Sequence, residues 1–118
     1  MILADTSVWI DHLRHGNQRL QGLLSEGAVF CHPFVIGELA CGNLSKREEI
    51  LTLLRVLPRA VAAGDEEVLV FVDRHELHGQ GLGWIDTHLL ASAMLSKCSL
   101  WTLDKSLVRA ARNLEVSA

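Results

Sequence analysis

Short apolar runs, separated by stretches with helical spacing, constrain this chain most. Ile2-Leu3-Ala4, Val29-Phe30-Cys31 and Ser99 to Leu103 read as strands, and none shows the polar alternation of a half-solvated sheet. Between them, apolar residues recur at spacings of three and four. Buried strands joined through helices imply βαβ crossovers, hence an α/β fold with a mostly parallel sheet. In such sheets ligands bind beyond the carboxyl ends of the strands.

The helical segments can be read in order. Asp5-Thr6-Ser7 offers N-cap residues to a helix running through Val8, Trp9, Asp11, His12 and Leu13 to a break at Gly16-Asn17. Leu20, Leu23 and Leu24 mark a second, short helix. A third spans Phe34 to Cys41 and stops at Gly42-Asn43. Ser45 is read as the cap of a helix carrying Ile50, Leu51, Leu53, Leu54 and Leu57, and Asp65 as the cap of the next. Gly79-Gln80-Gly81-Leu82-Gly83 is read as a flexible lead-in to a helix from Trp84 to about Ser96. It is not a phosphate-binding loop, because no Lys-Ser/Thr follows it. Ser106 to Arg112 forms the last helix, and Leu114-Glu115-Val116 is a candidate edge strand.

Four carboxylates fall on core-like segments. Asp5 follows Ile2-Leu3-Ala4, and Asp104 follows Leu100-Trp101-Thr102-Leu103. Glu38 interrupts Phe34 to Ala40, and Asp86 opens Trp84 to Ala91. Acidic residues usually stay in water, since burying an unpaired charge is costly. No matching set of basic residues lies on these segments. Strand-terminal Asp5 and Asp104 fall at the sheet edge where ligands bind. Glu38 and Asp86 share helix faces with apolar residues, which turns them toward the core. A divalent metal is the natural counter-charge, because hard cations take oxygen ligands. Helix capping is the simpler reading of any one acid, and for Asp5 alone it is an even match. The pairs Glu48-Glu49 and Glu66-Glu67, at helix N-termini, read as solvated charges favoured by the helix dipole.

Composition sets the outer bounds. With 118 residues, 49% of them hydrophobic and 21% charged, the chain reads as one domain, residues 1–118, with a core of its own. No apolar run is long enough to span a bilayer and no secretory leader is evident, so it reads as soluble and cytoplasmic. Cys31, Cys41 and Cys98 have no CxxC spacing and read as small buried hydrophobes. The net charge of −3 weighs mildly against nucleic acid. The stretch from Asp65 to Glu76 is acidic, however, while Lys97, Lys105, Arg109 and Arg112 make the C-terminal stretch basic.

The ordered motifs resemble the PIN-domain family. They are Asp5-Thr6-Ser7 after an N-terminal strand, Glu38 after Pro33-Phe34-Val35-Ile36-Gly37, Asp86 opening an Ala-rich helix, and Thr102-Leu103-Asp104-Lys105 after a strand. Their order and the chain length are similar to the stand-alone VapC-type toxin ribonucleases of bacterial toxin–antitoxin pairs. The resemblance covers essentially the whole chain and implies a three-layer α/β/α arrangement. It implies that Asp5, Glu38, Asp86 and Asp104 form the catalytic acidic quartet, with Asp5, Asp86 and Asp104 holding Mg²⁺ or Mn²⁺. Thr6, Ser7 and Thr102 match supporting hydroxyls. The implied activity is metal-dependent endoribonuclease cleavage of single-stranded RNA regions. The implied partners are an antitoxin that covers the site and a second copy in a homodimer. Two positions depart from the pattern: His88, where such helices usually carry an apolar residue, and Trp101, a large residue in the final strand.

Other residues leave alternatives open. The spaced pairs His12/His15 and His75/His78 lack a third soft ligand and read as surface histidines. His32 carries no signal of its own. His88, two residues from Asp86, is a candidate for the pocket rim and for substrate contact. Lys105 and Arg109 are either solvated helix charges or phosphate contacts. Trp9, Trp84 and Trp101 read as core or interface, with base stacking secondary. Two competing functions stand beside the nuclease. One is phosphotransfer through an aspartyl-phosphate at Asp5, although Ser7 occupies the place where a haloacid-dehalogenase-like site needs a second Asp. The other is a non-catalytic PIN-like binding module.

Overall fold

The computed structural model describes residues 1–118. The elements are β1 (Ile2–Ala4), α1 (Thr6–His15), α2 (Gln18–Ser25), β2 (Val29–Phe30), α3 (Pro33–Cys41), α4 (Arg47–Val56), α5 (Asp65–Arg74), α6 (Trp84–Ser96), β3 (Ser99–Trp101) and α7 (Lys105–Asn113). The fold is α/β around a central parallel sheet in the order β2-β1-β3. Ile2 pairs with Val29 on one side and Ser99 on the other, and Ala4 pairs with Trp101. β1 is therefore central, and the carboxyl ends of β1 and β3 lie side by side. The Asp5 N–H extends this pairing, donating to the Trp101 carbonyl at 3.0 Å.

Apolar burial fixes this arrangement. Leu3 of β1 and Leu100 of β3 are essentially unexposed, as are Leu20, Leu89, Leu90 and Leu107 from the helices packed on the sheet. Each such leucine contributes about 2 kcal/mol in apolar surface removed from water. α6 is the most completely enclosed helix, with a buried run from Thr87 to Ala93. No helix is long and apolar enough to cross a membrane.

Several sequence expectations need correction. α4 does not use Ser45 as its cap. The chain turns left-handed at Lys46 (φ 53°), which becomes the cap position without a side-chain bond. Asp65 is the first residue of α5 rather than its cap; Gly64 holds that place, and its N–H donates to Glu67 Oε1 at 2.9 Å. α7 begins at Lys105, one residue before the expected Ser106, because Asp104 caps it. Residues 114–116 form no strand, and this end of the chain touches the sheet through a single parallel bridge between Leu100 and Ser117. Cys31 and Cys98 are buried, but Cys41 is exposed at the end of α3.

The glycine loop before α6 is a built turn rather than a flexible lead-in. Gly79 and Gly81 are left-handed (φ +72° and +78°), and a Cβ on Gly81 would stand 3.0 Å from Ser106 Oγ. Only glycine permits this backbone at that distance. The close approach to α7 brings the starts of α6 and α7 together.

His32 is not a surface histidine. It is 1% exposed, and its Nδ1 accepts the Phe34 N–H at 3.0 Å, capping α3. Burial, then the nearby His88 and Arg59, push its pKa from 6.5 down to about 4. The unfolded chain therefore takes up a proton below pH 6.5 that the folded chain refuses. Stability linked to His32 is complete above pH 6.5 and is lost as pH falls toward 4, by roughly 3 kcal/mol for a shift of this size. Urea unfolding across this window should show that slope. His32→Asn, which keeps a cap acceptor, should flatten it; an unchanged slope would contradict the assignment.

Candidate active site

The site is assembled at the shared end of β1 and β3. Asp5 is only 6% exposed and is saturated with donors. It is the N-cap of α1: its Oδ1 accepts the Ser7 N–H at 2.9 Å, the Val8 N–H at 3.4 Å and a short bond from the Ser7 hydroxyl. Its Oδ2 accepts Thr102 Oγ1 at 2.6 Å. Both hydroxyls are held in turn from behind. The Asp104 N–H donates to Thr102 Oγ1 at 3.0 Å, and the Leu103 N–H donates to Ser7 Oγ at 2.9 Å. Two backbone amides after β3 thus reach Asp5 through two hydroxyls. This is why β3 stops at Trp101 instead of continuing to Leu103: those amides serve the site rather than a ladder.

The other acids arrive from three helices. Asp104 caps α7, its Oδ2 accepting the Leu107 N–H at 2.9 Å. Asp86, in the first turn of α6, accepts the Gly83 N–H at 2.9 Å through Oδ2. Glu38, midway along α3, accepts Thr6 Oγ1 at 2.6 Å. The expectation that Glu38 and Asp86 turn into the core needs adjustment, since Glu38 is exposed and Asp86 half-buried. The two lie near enough to interact through their charges. Asp86 shows this best: burial raises its pKa most, the Gly83 N–H offsets part of the rise, and Asp104, Asp5 and Glu38 each push it further up.

Capping is therefore the structural role of Asp5 and Asp104, and Asp86 closes a capping box. Each helix start offers free N–H groups and a positive dipole end to its carboxylate. Capping explains each acid singly, but it does not require caps from three helices, plus a non-capping Glu38, to meet. Nor does any of the four pair with a cation. The carboxylate–imidazole contacts of this chain, Asp11 with His15 at 3.5 Å and Asp65 with His88 at 3.2 Å, lie elsewhere.

The donor set fits a hard divalent cation: oxygen ligands, mutual repulsion and no cationic side chain. The structure has no ready-made cage of three or more His, Cys, Asp or Glu ligands. A cation here would be held directly by one or two carboxylates and through water by the rest, as Mg²⁺ allows.

The remaining candidates divide. Thr6, Ser7 and Thr102 all donate to quartet carboxylates. Lys105 and Arg109 are exposed, one turn apart at the start of α7, directly after Asp104. His88 does not reach the rim. It is 2% exposed, packed against Phe34 and Trp84 with ring centroids 4.6 and 4.7 Å away. Its Nε2 faces Asp65 without hydrogen-bond alignment. Trp9 is core, whereas Trp84 is 43% exposed. Trp101 is half-buried with the Arg19 guanidinium 4.4 Å above its ring, a cation–π contact the sequence does not signal.

Comparison with known proteins agrees with this geometry. The PIN domain family matches residues 2–113. This chain belongs to the PIN-domain family. Over 108 residues it is 47% identical to Ribonuclease VapC32 of Mycobacterium tuberculosis, from strains CDC 1551 / Oshkosh and H37Rv alike, covering 91% of this chain and 87% of that protein. It is accordingly of the VapC type. The fold is similar to the crystal structure of FitAcB from Neisseria gonorrhoeae (TM-score 0.67, 20% identity, 99% of this chain and 95% of that one). It is also similar to PAE2754 from Pyrobaculum aerophilum (TM-score 0.61, 16% identity, 92% and 77%).

The raised pKa of Asp86 has a stability consequence. A carboxyl whose folded pKa lies above its unfolded value favours the fold when protonated; that advantage is lost as pH rises through the folded pKa. At neutral pH and without metal, ionised Asp86 therefore opposes folding. Asp86→Asn keeps an oxygen for the Gly83 N–H and removes the charge. In EDTA it should unfold at higher urea than wild type; a lower midpoint would show that the carboxylates do not repel one another.

Proposed function

We propose that this protein is a Mg²⁺- or Mn²⁺-dependent endoribonuclease that cleaves single-stranded regions of RNA, and that it acts as the toxin of a toxin–antitoxin pair. The observation that carries the reading is that Asp104, Asp5 and Glu38 all lie near enough to half-buried Asp86 to push its pKa up, and that no cationic side chain pairs with any of them. Similarity to a ribonuclease of the VapC type supports the substrate class.

In this reading Asp5, Asp86 and Asp104 hold the metal, and Glu38 completes the acidic rim. When bound, the metal lowers the pKa of a water and stabilises charge on the phosphodiester oxygens. The chain's own residues supply orientation. Ser7 and Thr102 fix both oxygens of Asp5, so that carboxylate keeps one rotamer whether metal is present or not. Thr6 does the same for Glu38 from one side. Gly83 and Leu107 amides each hold one oxygen of Asp86 and Asp104, leaving the second oxygen of each available. Lys105 and Arg109, unpaired on α7, are suited to backbone phosphates. A small antitoxin covering the cleft and a homodimer complete the proposal, in the cytoplasm.

Phosphotransfer through Asp5 is disfavoured, because Ser7 stands where a haloacid-dehalogenase-like site needs a second Asp. A binding module without catalysis has no use for a complete quartet.

The test is RNA cleavage by the purified protein in Mg²⁺ or Mn²⁺, with Asp5→Asn, Asp86→Asn and Asp104→Asn beside wild type. Each substitution should reduce cleavage at least about a hundredfold while the variants stay folded by circular dichroism. EDTA should abolish cleavage. Full activity of a folded Asp5→Asn/Asp86→Asn double variant would refute the assignment.

A further inference from the structure

Beside Glu38 the surface opens into a cavity of about 570 Å³ lined by Pro33, Phe34, Gly37, Cys41, Trp84 and Ile85, with Glu38 itself in the wall. Its lining is predominantly apolar, although it adjoins an acidic cleft. Trp84 is the first residue of α6, two positions before Asp86, and it keeps 43% of its surface exposed. An exposed tryptophan is expensive to leave in water, and this one is not loose. Its ring meets His88 at 82° with centroids 4.7 Å apart. Phe34 packs on the same imidazole at 4.6 Å, and His32 stands 5.2 Å from Phe34. His88 is 2% and His32 1% exposed. Two buried histidines therefore back two aromatic rings that face the cavity.

Resting on the ribonuclease reading, we infer that the cavity between Trp84 and Phe34 takes one unstacked nucleobase of the RNA strand, next to the phosphate held at the acidic cleft. Proteins that recognise single-stranded RNA stack splayed bases on aromatic side chains and run the backbone along positive charge. Both halves of that pattern meet at Glu38. On one side is the aromatic cavity. On the other, Glu38 also borders a groove of about 320 Å³ that includes Arg14 and Lys46. A strand crossing Glu38 has a base against Trp84 on one side and phosphates near Arg14 and Lys46 on the other. An apolar side chain of a protein partner also fits an aromatic cavity. The base is favoured because Glu38 stands both in the wall of this cavity and in the wall of the groove that carries Arg14 and Lys46. His88 is here a positioning residue: it holds Trp84 and Phe34 and does not touch the substrate.

Binding tests this separately from cleavage. Asp86→Asn serves as the background, so that RNA stays intact in Mg²⁺. Into it are placed Trp84→Ala and Trp84→Phe, with folding checked by circular dichroism. Fluorescence anisotropy then compares a short labelled oligoadenylate with an oligomer of the same length made of abasic sugars. Trp84→Ala should weaken oligoadenylate binding about tenfold, within what stacking of one base contributes. Trp84→Phe should stay within about twofold, since a ring is retained. The abasic oligomer should bind the three proteins alike. Equal binding of oligoadenylate by all three, or equal losses with the abasic oligomer, would overturn the inference. So would a Trp84→Ala variant that binds RNA normally but is no longer inhibited by its partner protein, because the cavity would then belong to that protein. If wild type cuts no RNA while the stacking pattern holds, the nuclease reading fails and the base site stands. If wild type cuts RNA and Trp84 is indifferent, only the base site fails.

Discussion

The hydrogen bond from Thr102 Oγ1 to Asp5 Oδ2, at 2.6 Å, joins the ends of the central strand and its neighbour. Much of the site depends on it. The bond requires β1 and β3 to be parallel and in register, with Ala4 opposite Trp101. It also requires Thr102 to leave the ladder and turn inward, where it is 6% exposed. Once there, Thr102 receives the Asp104 amide, which sets the start of α7. Ser7 forms the matching link from Asp5 to the Leu103 amide. A buried charge is thus satisfied by groups that also set where two helices begin. Hydrogen bonds to a charged group are worth about 1.5–3 kcal/mol each, so this network can offset much of the cost of burying Asp5.

Helix N-termini are the second element of the design. α1 and α7 begin beside each other past β1 and β3, each with an aspartate on its first amides, and in α6 Asp86 turns back to the amide of the cap residue Gly83. The dipole ends make it tolerable to hold acids together before any metal arrives. That tolerance is incomplete: burial raises the pKa of Asp86 most, and Asp104, Asp5 and Glu38 add to the rise. The residual repulsion favours a divalent cation. One set of interactions therefore serves folding and the candidate chemistry at once, and the capping and metal readings of these acids are not alternatives.

Much of this was legible in the sequence. Strand identity, parallel pairing and the chain order of Asp5, Glu38, Asp86 and Asp104 follow from apolar runs and from acids placed where acids rarely sit. The resemblance of those four motifs to the PIN-domain family supplied the proposed chemistry. What stayed hidden depends on long-range contacts. That Thr102 and Ser7 relay amides from residues 103 and 104 is invisible until residues nearly a hundred positions apart meet. His32 carries no local sign of being a buried cap, because His is uncommon in that role. The left-handed turn at Lys46, which displaced Ser45 as a cap, and the packing of Gly81 on Ser106 are likewise set by tertiary fit. Trp84 beside Asp86 read as core or interface in the sequence; its exposure and its cavity with Phe34 and Glu38 come from the fold.

The central claim is that Asp5, Asp86 and Asp104, each at the start of a different helix, share a metal site. Titrating Mn²⁺ into isotope-labelled protein and following backbone amide signals tests it most directly. Paramagnetic broadening should appear first, and together, at Ser7, Gly83 and Leu107, whose amides bind the three aspartates. Broadening confined to exposed pairs such as Glu48-Glu49 or Glu66-Glu67, with those three signals sharp, would contradict it.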